Sequence, residues 1–215
     1  MSTVSDGSTR RPGRPSLLDR QHALDQLLSL FWRKGYDAAT QEEMLSATGL
    51  SSSTLFRSFG NKADILRAVL GHYAAYASIL FAPLERGDGG MADLQTFLDN
   101  MQDWLRGPMG PAGCLVVETM QNPVNGDPTI RALTDQHLNR LSQGLLAAVQ
   151  RAADAGELQA AAPAPFAAAL QAGVLGALSR ARSGDMDDAV RLLNGVRSLL
   201  RRPPRCETKR VRPAG

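Results

Sequence analysis

Residues 51 to 62 read SSSTLFRSFGNK and combine hydroxyl side chains with two cations. Serine and threonine hydroxyls hydrogen-bond base edges or phosphate oxygens, and arginine and lysine neutralise phosphate charge. This chemistry suits contact with a polyanion, provided that a helix turns the polar side chains outward. The alternative is a serine-rich connector between two helices.

The spacing of two apolar residues predicts how this segment is oriented. Leu55 and Phe59 lie one helical turn apart, so a helix that buries both turns its polar side chains to other faces. Small side chains let such a helix enter a major groove about 12 Å wide. Arg57 would neutralise the groove wall while a neighbouring ring packs on it. The outward set is Ser52, Ser53, Phe56 and Arg57, with Thr54 near the exposed N-terminal end.

Capping signals predict the neighbouring helices. Thr40 and Glu43 form a capping box for a short helix that ends at Gly49, and Ser51 caps the next one. After Gly60, a box of Asn61 and Asp64 opens a longer helix. Two short helices joined by a glycine turn form a helix-turn-helix unit.

A first helix precedes this unit. It is predicted to open at Ser16, with Asp19 as its capping partner, and to end at Gly35. Its buried stripe is Leu24, Leu27, Leu28, Phe31 and Trp32.

The whole set resembles the N-terminal domain of TetR/AcrR-family transcriptional regulators over about residues 15 to 72. The family's usual Tyr is Phe56 here, which leaves packing but no hydroxyl for a phosphate, and its usual Ile-Ala pair is Met44 and Leu45. The residues that carry the resemblance are Thr40, Met44, Leu45, Thr48 to Ser51, Thr54 to Phe56, Phe59, Gly60 and Lys62 to Leu66.

The resemblance implies an all-α protein with a three-helix DNA-binding domain and a larger C-terminal domain for ligand binding and dimerisation. It implies a repressor that binds a palindromic operator as a homodimer and is released by a small-molecule inducer. The polar first residues predict a cytoplasmic location, and the lack of catalytic motifs predicts that the protein is not an enzyme. No metal or cofactor is expected. The DNA-contacting residues expected from the resemblance are Thr40, Gln41, Ser52, Ser53, Thr54, Phe56, Arg57 and Lys62.

The predicted domain boundaries follow composition and charge. Residues 1–15 read as a flexible basic arm, 16–62 as the DNA-binding domain with a linking helix to about 80, 81–202 as the C-terminal domain, and 203–215 as a disordered basic tail. In the arm, Arg14 lies in RRPGRP, which is similar to an AT-hook core that enters a narrow minor groove. A simple disordered leader explains the same residues.

The second half of the chain is predicted to be helical, with a loop over 83–90, a helix over 91–106, a Gly/Pro break over 107–113 and a long helix from Asp127 to about Ala155. The resemblance implies an enclosed ligand cavity there, although each candidate could equally be plain core. The candidate lining residues are Phe97, Met101, Trp104, Met109, Cys114 and His137.

Cys114 allows a second interpretation, in which it senses oxidants or electrophiles. It follows the Gly/Pro break at a predicted helix start, where the helix N-terminus would favour the thiolate. A buried, inert cysteine is the alternative. Cys114 and Cys206 have no spacing typical of a metal or disulfide scaffold.

The last two helices carry large and small apolar residues at helical spacing, which favours a four-helix bundle with a second copy. Burial within one chain explains the same pattern. The predicted interface residues are Phe166, Leu170, Gly173, Val174, Ala177, Leu178, Val190 and Leu193.

Other classes of function find less support in the sequence. GxSxG, HExxH, GxxxxGK[ST] and GxGxxG are absent, and the three histidines have no metal-binding spacing. No uninterrupted apolar run approaches the ~18 residues of a membrane span. A non-specific DNA-organising protein remains an alternative, but residues 71–200 hold nine Lys and Arg against thirteen Asp and Glu, so the predicted body is acidic.

Overall fold

A computed structural model describes residues 17–158 and 162–200. Within these ranges all regular secondary structure is helical, including two short 3-10 turns at Gly110–Ala112 and Pro123–Gly126, and loops join the helices. The helices are α1 Leu17–Lys34, α2 Gln41–Thr48, α3 Ser52–Phe59, α4 Lys62–Arg86, α5 Met91–Arg106, α6 Leu115–Met120, α7 Pro128–Asp154, α8 Pro163–Arg182 and α9 Met186–Leu199. The all-α prediction is confirmed.

The first helix buries the predicted stripe. Its five apolar residues are all buried, and the helix ends where Gly35 adopts φ 81° and donates its N–H to the carbonyl of Phe31. The predicted cap at Ser16, the arm with Arg14 and the tail beyond Leu200 lie outside the described residues.

Helix α4 corrects the prediction of a loop from residue 83. The helix continues through Pro83 to Arg86, and Gly87 then donates its N–H to the carbonyl of Pro83 at 3.0 Å. Proline removes one intrahelical hydrogen bond. Phe81 and Leu84 are buried on either side of it, so packing outweighs this loss. The predicted domain boundary near residue 80 therefore falls inside a continuous helix.

By length and composition alone, α4 also qualifies as a possible membrane-crossing helix. Its first turn, however, carries Lys62 and Asp64 and is closed by a capping box on Asn61. Its buried residues pack against α1, α5 and α7. These are the features of an internal helix that joins the two halves of the protein.

The C-terminal half surrounds α7, which packs against α4, α5 and α8, while α9 packs on α8 and α5. Asp127 caps α7 as predicted, accepting hydrogen bonds from the backbone of Thr129 and Ile130. Buried residues from Ala23 to Leu200 form one connected apolar cluster. The N-terminal helices are therefore not packed independently of the C-terminal ones.

Candidate functional site

Helices α2 and α3 form the predicted helix-turn-helix geometry. Thr40 caps α2 in a complete capping box with Glu43, and Ser51 caps α3 by accepting the backbone N–H of Thr54. Between the helices Gly49 takes the left-handed conformation, with φ 66° and ψ 10°. The local signals read from the sequence are therefore the ones that shape the turn.

The recognition helix candidate, α3, buries the two predicted anchors. Leu55 is fully buried and Phe59 nearly so, which leaves Ser53 and Arg57 exposed. Phe56 differs from expectation because its ring is half-buried and packs on the core. Its contribution at a DNA surface is limited to the ring edge that remains uncovered.

Hydrogen bonds organise the polar side of α3. Gln41, at the start of α2, donates from Nε2 to Oγ of Ser52 at 3.2 Å. Oγ of Ser51 donates to Oγ1 of Thr54 at 2.9 Å. These bonds hold the half-buried Ser52 and Thr54 side chains in place, whereas Ser53 lies fully at the surface. The hydroxyls form one side of the α2–α3 pair.

The cations around α3 differ in how they are held. Arg57 is exposed and forms no hydrogen bond or ion pair with any other residue that the structure describes. Lys62 lies 4.6 Å from the Tyr36 ring centre and donates to the carbonyl of Asp37 at 3.3 Å. Arg20 lies 4.7 Å from the ring centre of Phe59. The sequence did not single out Arg20 as a candidate contact. Its only signal was that it is a basic residue on the predicted first helix.

A small cavity lies between α4, α5, α7 and α8. Its free volume is about 20 Å³, room for about one water molecule. Four of the six predicted lining residues surround it, and Phe97 and Met109 do not. The sequence reasoning missed the α4 and α8 side of the wall. The lining residues are Tyr73, Ala77, Leu80, Phe81, Met101, Trp104, Cys114, His137, Leu141, Val174, Leu175 and Leu178.

His137 is the basic group of this cavity. Its ring lies 5.4 Å from that of Tyr73 and 5.2 Å from that of Phe81. Burial, with a smaller effect of the Arg140 charge, lowers the pKa of His137 to about 4, so the ring is neutral near pH 7. Its Nδ1 is buried without a hydrogen-bond partner among residues 17–158 and 162–200. A buried polar atom in this state calls for a partner, which a water molecule or a bound molecule could supply.

This histidine predicts an acid-sensitive stability. Because its pKa rises from about 4 in the folded chain to the ordinary 6.5 on unfolding, the unfolded state binds more protons between these values. Stability is therefore lost as the pH falls below 6.5, by about 2 kcal/mol between pH 7 and pH 5. Urea unfolding of wild type and His137→Phe at both pH values measures the difference.

Comparison of wild type with His137→Phe separates this effect from that of other titrating groups. From pH 7 to pH 5, the free energy of unfolding of His137→Phe should fall by about 2 kcal/mol less than that of wild type. His22→Gln, which changes an exposed histidine on α1, is the matched control and should keep the wild-type difference. An equal pH dependence in wild type and His137→Phe would contradict the assignment.

Cys114 corrects the prediction of an activated thiolate. Its side chain is buried, it precedes a helix of six residues, and its Sγ accepts a hydrogen bond from the Tyr73 hydroxyl at 3.4 Å. Burial raises the pKa of the Cys114 thiol despite the lowering by the Tyr73 hydrogen bond. A protonated, covered thiol is a poor nucleophile, so the structure favours the inert alternative.

Polar contacts join the end of α1 to the C-terminal half. Trp32 donates from Nε1 to the carbonyl of Gly113 at 2.7 Å. Arg182 on α8 donates from one nitrogen to the carbonyls of Trp32 and Ala112, each at 2.8 Å. Its other terminal nitrogen lies 3.9 Å from Glu118, and burial raises the pKa of this carboxyl. These contacts connect α8 and the segment before α6 to the end of α1.

A second contact joins α4 to the start of α7. Arg67 forms an ion pair with Asp127 at 2.7 Å and also bonds Asp64. The Arg67 hydrogen bond is the main reason why the pKa of Asp127 is lowered. Asn122 also donates to the carboxylate of Asp37 at 2.7 Å, in the loop between α1 and α2. The helix-turn-helix unit is thus held from two sides.

The predicted interface residues divide into two groups. Phe166, Gly173 and Val190 are half-buried in the single chain. The other five are buried inside it, where α8 packs on α7 and α9, so they form the protomer's own core. These residues are Leu170, Val174, Ala177, Leu178 and Leu193.

Two family models match the chain. One, described as bacterial regulatory proteins of the tetR family, covers residues 23–69 and thus the helix-turn-helix unit. The other, described as the tetracyclin repressor-like C-terminal domain, covers residues 90–194. The chain belongs to the TetR family. Both halves of this TetR-family protein carry the family's pattern, in the order in which the helices occur, and this is a family of regulators rather than of enzymes.

Relatives of this TetR-family chain include two repressors of Escherichia coli strain K12. The HTH-type transcriptional repressor ComR is 34% identical over 122 residues, which are 54% of this chain and 57% of that protein. The HTH-type transcriptional repressor BdcR is 29% identical over 135 residues, or 62% of this chain and 67% of that protein. The aligned part therefore spans little more than half the length of ComR.

Solved structures share the TetR fold over most of the chain. The regulatory protein TetR from Rhodobacter sphaeroides has a TM-score of 0.74 at 24% identity, covering 85% of this chain and 97% of that one. A cysteine mutant of CifR, a TetR family regulator complexed with 26 bp operator DNA, has a TM-score of 0.71 at 24% identity, covering 89% of this chain and 100% of that one. At these identities the likeness concerns the fold.

Proposed function

We propose that this TetR-family protein is a cytoplasmic transcriptional repressor that binds a palindromic operator as a dimer and is released by a small-molecule effector. The observation that carries the proposal is the outer side of α3. Its anchors Leu55 and Phe59 are buried, while Ser53 and Arg57, which has no partner within the described part of the chain, face outward. The proposed DNA-contacting residues remain Thr40, Gln41, Ser52, Ser53, Thr54, Phe56, Arg57 and Lys62, with Arg14 in the arm.

The role of each group follows from its surroundings. Arg57 is free to reach a phosphate or a guanine edge. Lys62 is held against Tyr36 at the N-terminus of α4, where its charge adds to the positive end of the helix dipole. Oγ1 of Thr40 accepts the backbone N–H of Glu43 in the capping box, so one of its lone pairs is not available for a hydrogen bond with DNA. The half-buried Phe56 supplies packing.

A dimer would position two copies of α3 on one DNA face. Palindromic half-sites require recognition helices roughly 34 Å apart or at a multiple of this spacing. The outward faces of α8 and α9 carry small and apolar residues, which allow two chains to approach closely. This dimer face consists of Pro165, Ala168, Ala169, Ala172, Gly176 and Ser179 on α8 and Leu192, Gly195 and Leu199 on α9.

Effector response would use the contacts between the cavity and α1. A ligand changes DNA affinity only by its difference in affinity for the two conformations of the protein. Expansion of a cavity of about 20 Å³ displaces the surrounding helices. Among these, α4 leads directly into the helix-turn-helix unit, and α8 holds the carbonyl of Trp32 through Arg182.

Selection of bound sequences from a random duplex pool tests the proposal. A recovered palindrome would support an operator-reading dimer, and its half-site spacing would give the distance between recognition helices. A regulator should prefer the selected duplex roughly 1,000-fold over random DNA. Binding without sequence preference and with steep salt dependence would instead indicate a non-specific DNA-organising protein.

Arg57→Ala should weaken binding to the selected operator about 10-fold because it removes the exposed cation of α3. If Arg57 contacts phosphate, the salt dependence of binding should also become shallower by about one unit. Fluorescence anisotropy with labelled operator at several salt concentrations measures both quantities. Thr54→Ala, on the same helix, should weaken binding without changing the salt dependence.

Arg86→Ala is the matched control for loss of charge. Arg86 is exposed at the opposite end of α4, about 36 Å along the helix from Lys62. Arg86 is too far from α3 to act on the same DNA contact at ordinary salt. Its removal should therefore leave operator affinity within about 2-fold of wild type. If Arg57→Ala and Arg86→Ala behave alike, α3 is not the reading element.

A further inference from the structure

A groove beside the cavity leaves aromatic and aliphatic side chains uncovered. It lies between α1, α4 and α5 and has about 170 Å³ of free volume. Tyr76 is 53% exposed and Ile79 is 72% exposed at its rim. Clustered exposed apolar groups of this kind mark binding surfaces. The remaining groove residues are Trp32, Tyr73, Ala77, Leu80 and Trp104.

The groove leads to the cavity. Tyr73, Ala77, Leu80 and Trp104 line both spaces, so a molecule in the groove lies against the cavity wall. Of the four shared residues, Leu80 and Trp104 are half-buried, and Trp104 is the larger of the two. A small displacement of its indole would join the cavity of about 20 Å³ to the larger groove.

The groove walls favour a flat aromatic guest. The indoles of Trp32 and Trp104 are nearly parallel, with ring centres 5.8 Å apart and an interplanar angle of 21°. Tyr76 meets Trp32 edge-on, with ring centres 6.5 Å apart. Aromatic rings offer offset-stacked and edge contacts to another ring, and several such surfaces converge here.

The lining also limits the charge of the guest. No Asp, Glu, Lys or Arg lines the groove or the cavity among the described residues. An ionised guest would lose its hydration without gaining a counter-ion. At the inner end, the neutral His137 ring offers an unpartnered Nδ1 to a donor or an acceptor.

We propose that the effector is an uncharged planar aromatic molecule with one hydrogen-bonding group, which enters through this groove and presents that group to His137. The inference rests on the proposed function, since it names the chemical class of the effector. Contact with the half-buried Trp104 and the exposed Tyr76 supplies most of the stacking surface, and His137 distinguishes a polar aromatic from a plain hydrocarbon.

Trp32 is the residue through which α1 senses the guest. It belongs to the helix that packs against the helix-turn-helix unit, and its indole lines the groove. The same side chain donates to the carbonyl of Gly113, and its backbone carbonyl accepts from Arg182. A guest that moves this indole therefore acts on the contacts that hold α1 in place.

The two tryptophans make a direct test possible. The chain contains only Trp32 and Trp104, and both line the groove, so intrinsic fluorescence reports on this site. The full chain, without DNA, is titrated with 4-ethylphenol, ethylbenzene, 4-ethylbenzoate and benzyltrimethylammonium under excitation at the red edge of indole absorption. These probes separate ring stacking, the hydrogen bond, negative charge and positive charge.

We expect 4-ethylphenol to change the tryptophan emission and to bind at least about 10-fold more tightly than the other three, which corresponds to one well-placed polar contact. His137→Phe should reduce this advantage over ethylbenzene to about 2-fold while both compounds still bind. Trp104→Ala should weaken the binding of 4-ethylphenol and of ethylbenzene. Met109→Ala changes a residue outside the groove and cavity and should leave both affinities unchanged.

Three outcomes would overturn the proposal. The first is that neither 4-ethylphenol nor ethylbenzene binds up to about 1 mM. The second is that benzyltrimethylammonium binds most tightly, as it would in an aromatic cage, and the third is that His137→Phe keeps the full preference for 4-ethylphenol over ethylbenzene. Operator binding is measured separately without any probe, so its failure would reject the proposed function and not the ligand class. Trp32→Phe should still bind 4-ethylphenol, read from Trp104 emission, with at least 5-fold weaker release of operator.

Discussion

Gly113→Ala should destabilise the folded protein by at least about 4 kcal/mol or prevent folding. Gly113 has φ 62° and ψ −152°, a conformation that is essentially restricted to glycine. An added Cβ would also lie 2.6 Å from the carbonyl oxygen of Leu178 and 2.8 Å from Cβ of Arg182. Relief of that contact would shift the Gly113 carbonyl that accepts from Trp32.

Thermal unfolding followed by circular dichroism measures this effect, with a decrease of the melting temperature of roughly 8–16 °C for a chain of this size. Gly49→Ala is the matched control because Gly49 also has positive φ, at 66°, but no atom of the described residues lies within 4 Å of the added Cβ. It should lose only about 1 kcal/mol, the cost of the left-handed conformation. Equal losses in the two variants would show that the close contacts at Gly113 do not matter.

The helix-turn-helix unit could be predicted from sequence because its instructions are local. Thr40 and Glu43 stand three positions apart, as do Asn61 and Asp64, and each pair forms its capping box in the structure. Gly49 takes the positive φ that the turn requires. Each of these signals acts over three or four residues, which is the range over which sequence patterns are informative.

Pro83 shows where local rules fail. A proline inside a helix removes a hydrogen bond and usually kinks or ends the helix, so the sequence predicted a loop there. In the structure Leu84, directly after it, is fully buried, and the helix continues for one more turn. The outcome depends on packing between α4 and helices far away in the chain, which a local pattern does not contain.

The cavity could be predicted only in part for the same reason. Apolar spacing indicates which residues are buried, and Phe97 and Met101 are both buried as expected, but only Met101 borders the free space. Arg182 reaches a carbonyl 150 positions earlier in the chain, at Trp32, a contact that no spacing rule reveals. The distinction between core and cavity wall requires the three-dimensional arrangement.

The last two helices illustrate a related limit. The large residues in the stripe, such as Leu170 and Leu178, are buried inside one chain, while small residues such as Ala172 and Gly176 face outward. Both sides are apolar, so hydrophobic spacing alone could not separate the protomer core from a surface for a second copy. The dimer proposal therefore moves to the opposite side of α8.

Gly176→Arg should convert the proposed dimer to a monomer and lower operator affinity at least 100-fold. Gly176 lies in the proposed dimer face on α8, and no atom of residues 17–158 or 162–200 lies within 4 Å of an added Cβ, so we expect the single chain to tolerate the side chain. Two copies related by a two-fold axis would place two arginines in a closely packed, uncharged contact. Without the second copy, the gain from linking two half-site contacts is lost.

Light scattering after size-exclusion chromatography and anisotropy with the selected operator measure the two effects. Gly71→Arg is the control, since Gly71 is an exposed helical glycine on α4 that also has open space and lies outside the dimer face. On a duplex with a single half-site, Gly176→Arg should bind within about 2-fold of wild type, because α3 is unchanged and only the linkage between sites is missing. A Gly176→Arg protein that remains dimeric would show that the chains associate through another surface. A monomer that also fails on the half-site would instead indicate damage to the helix-turn-helix unit.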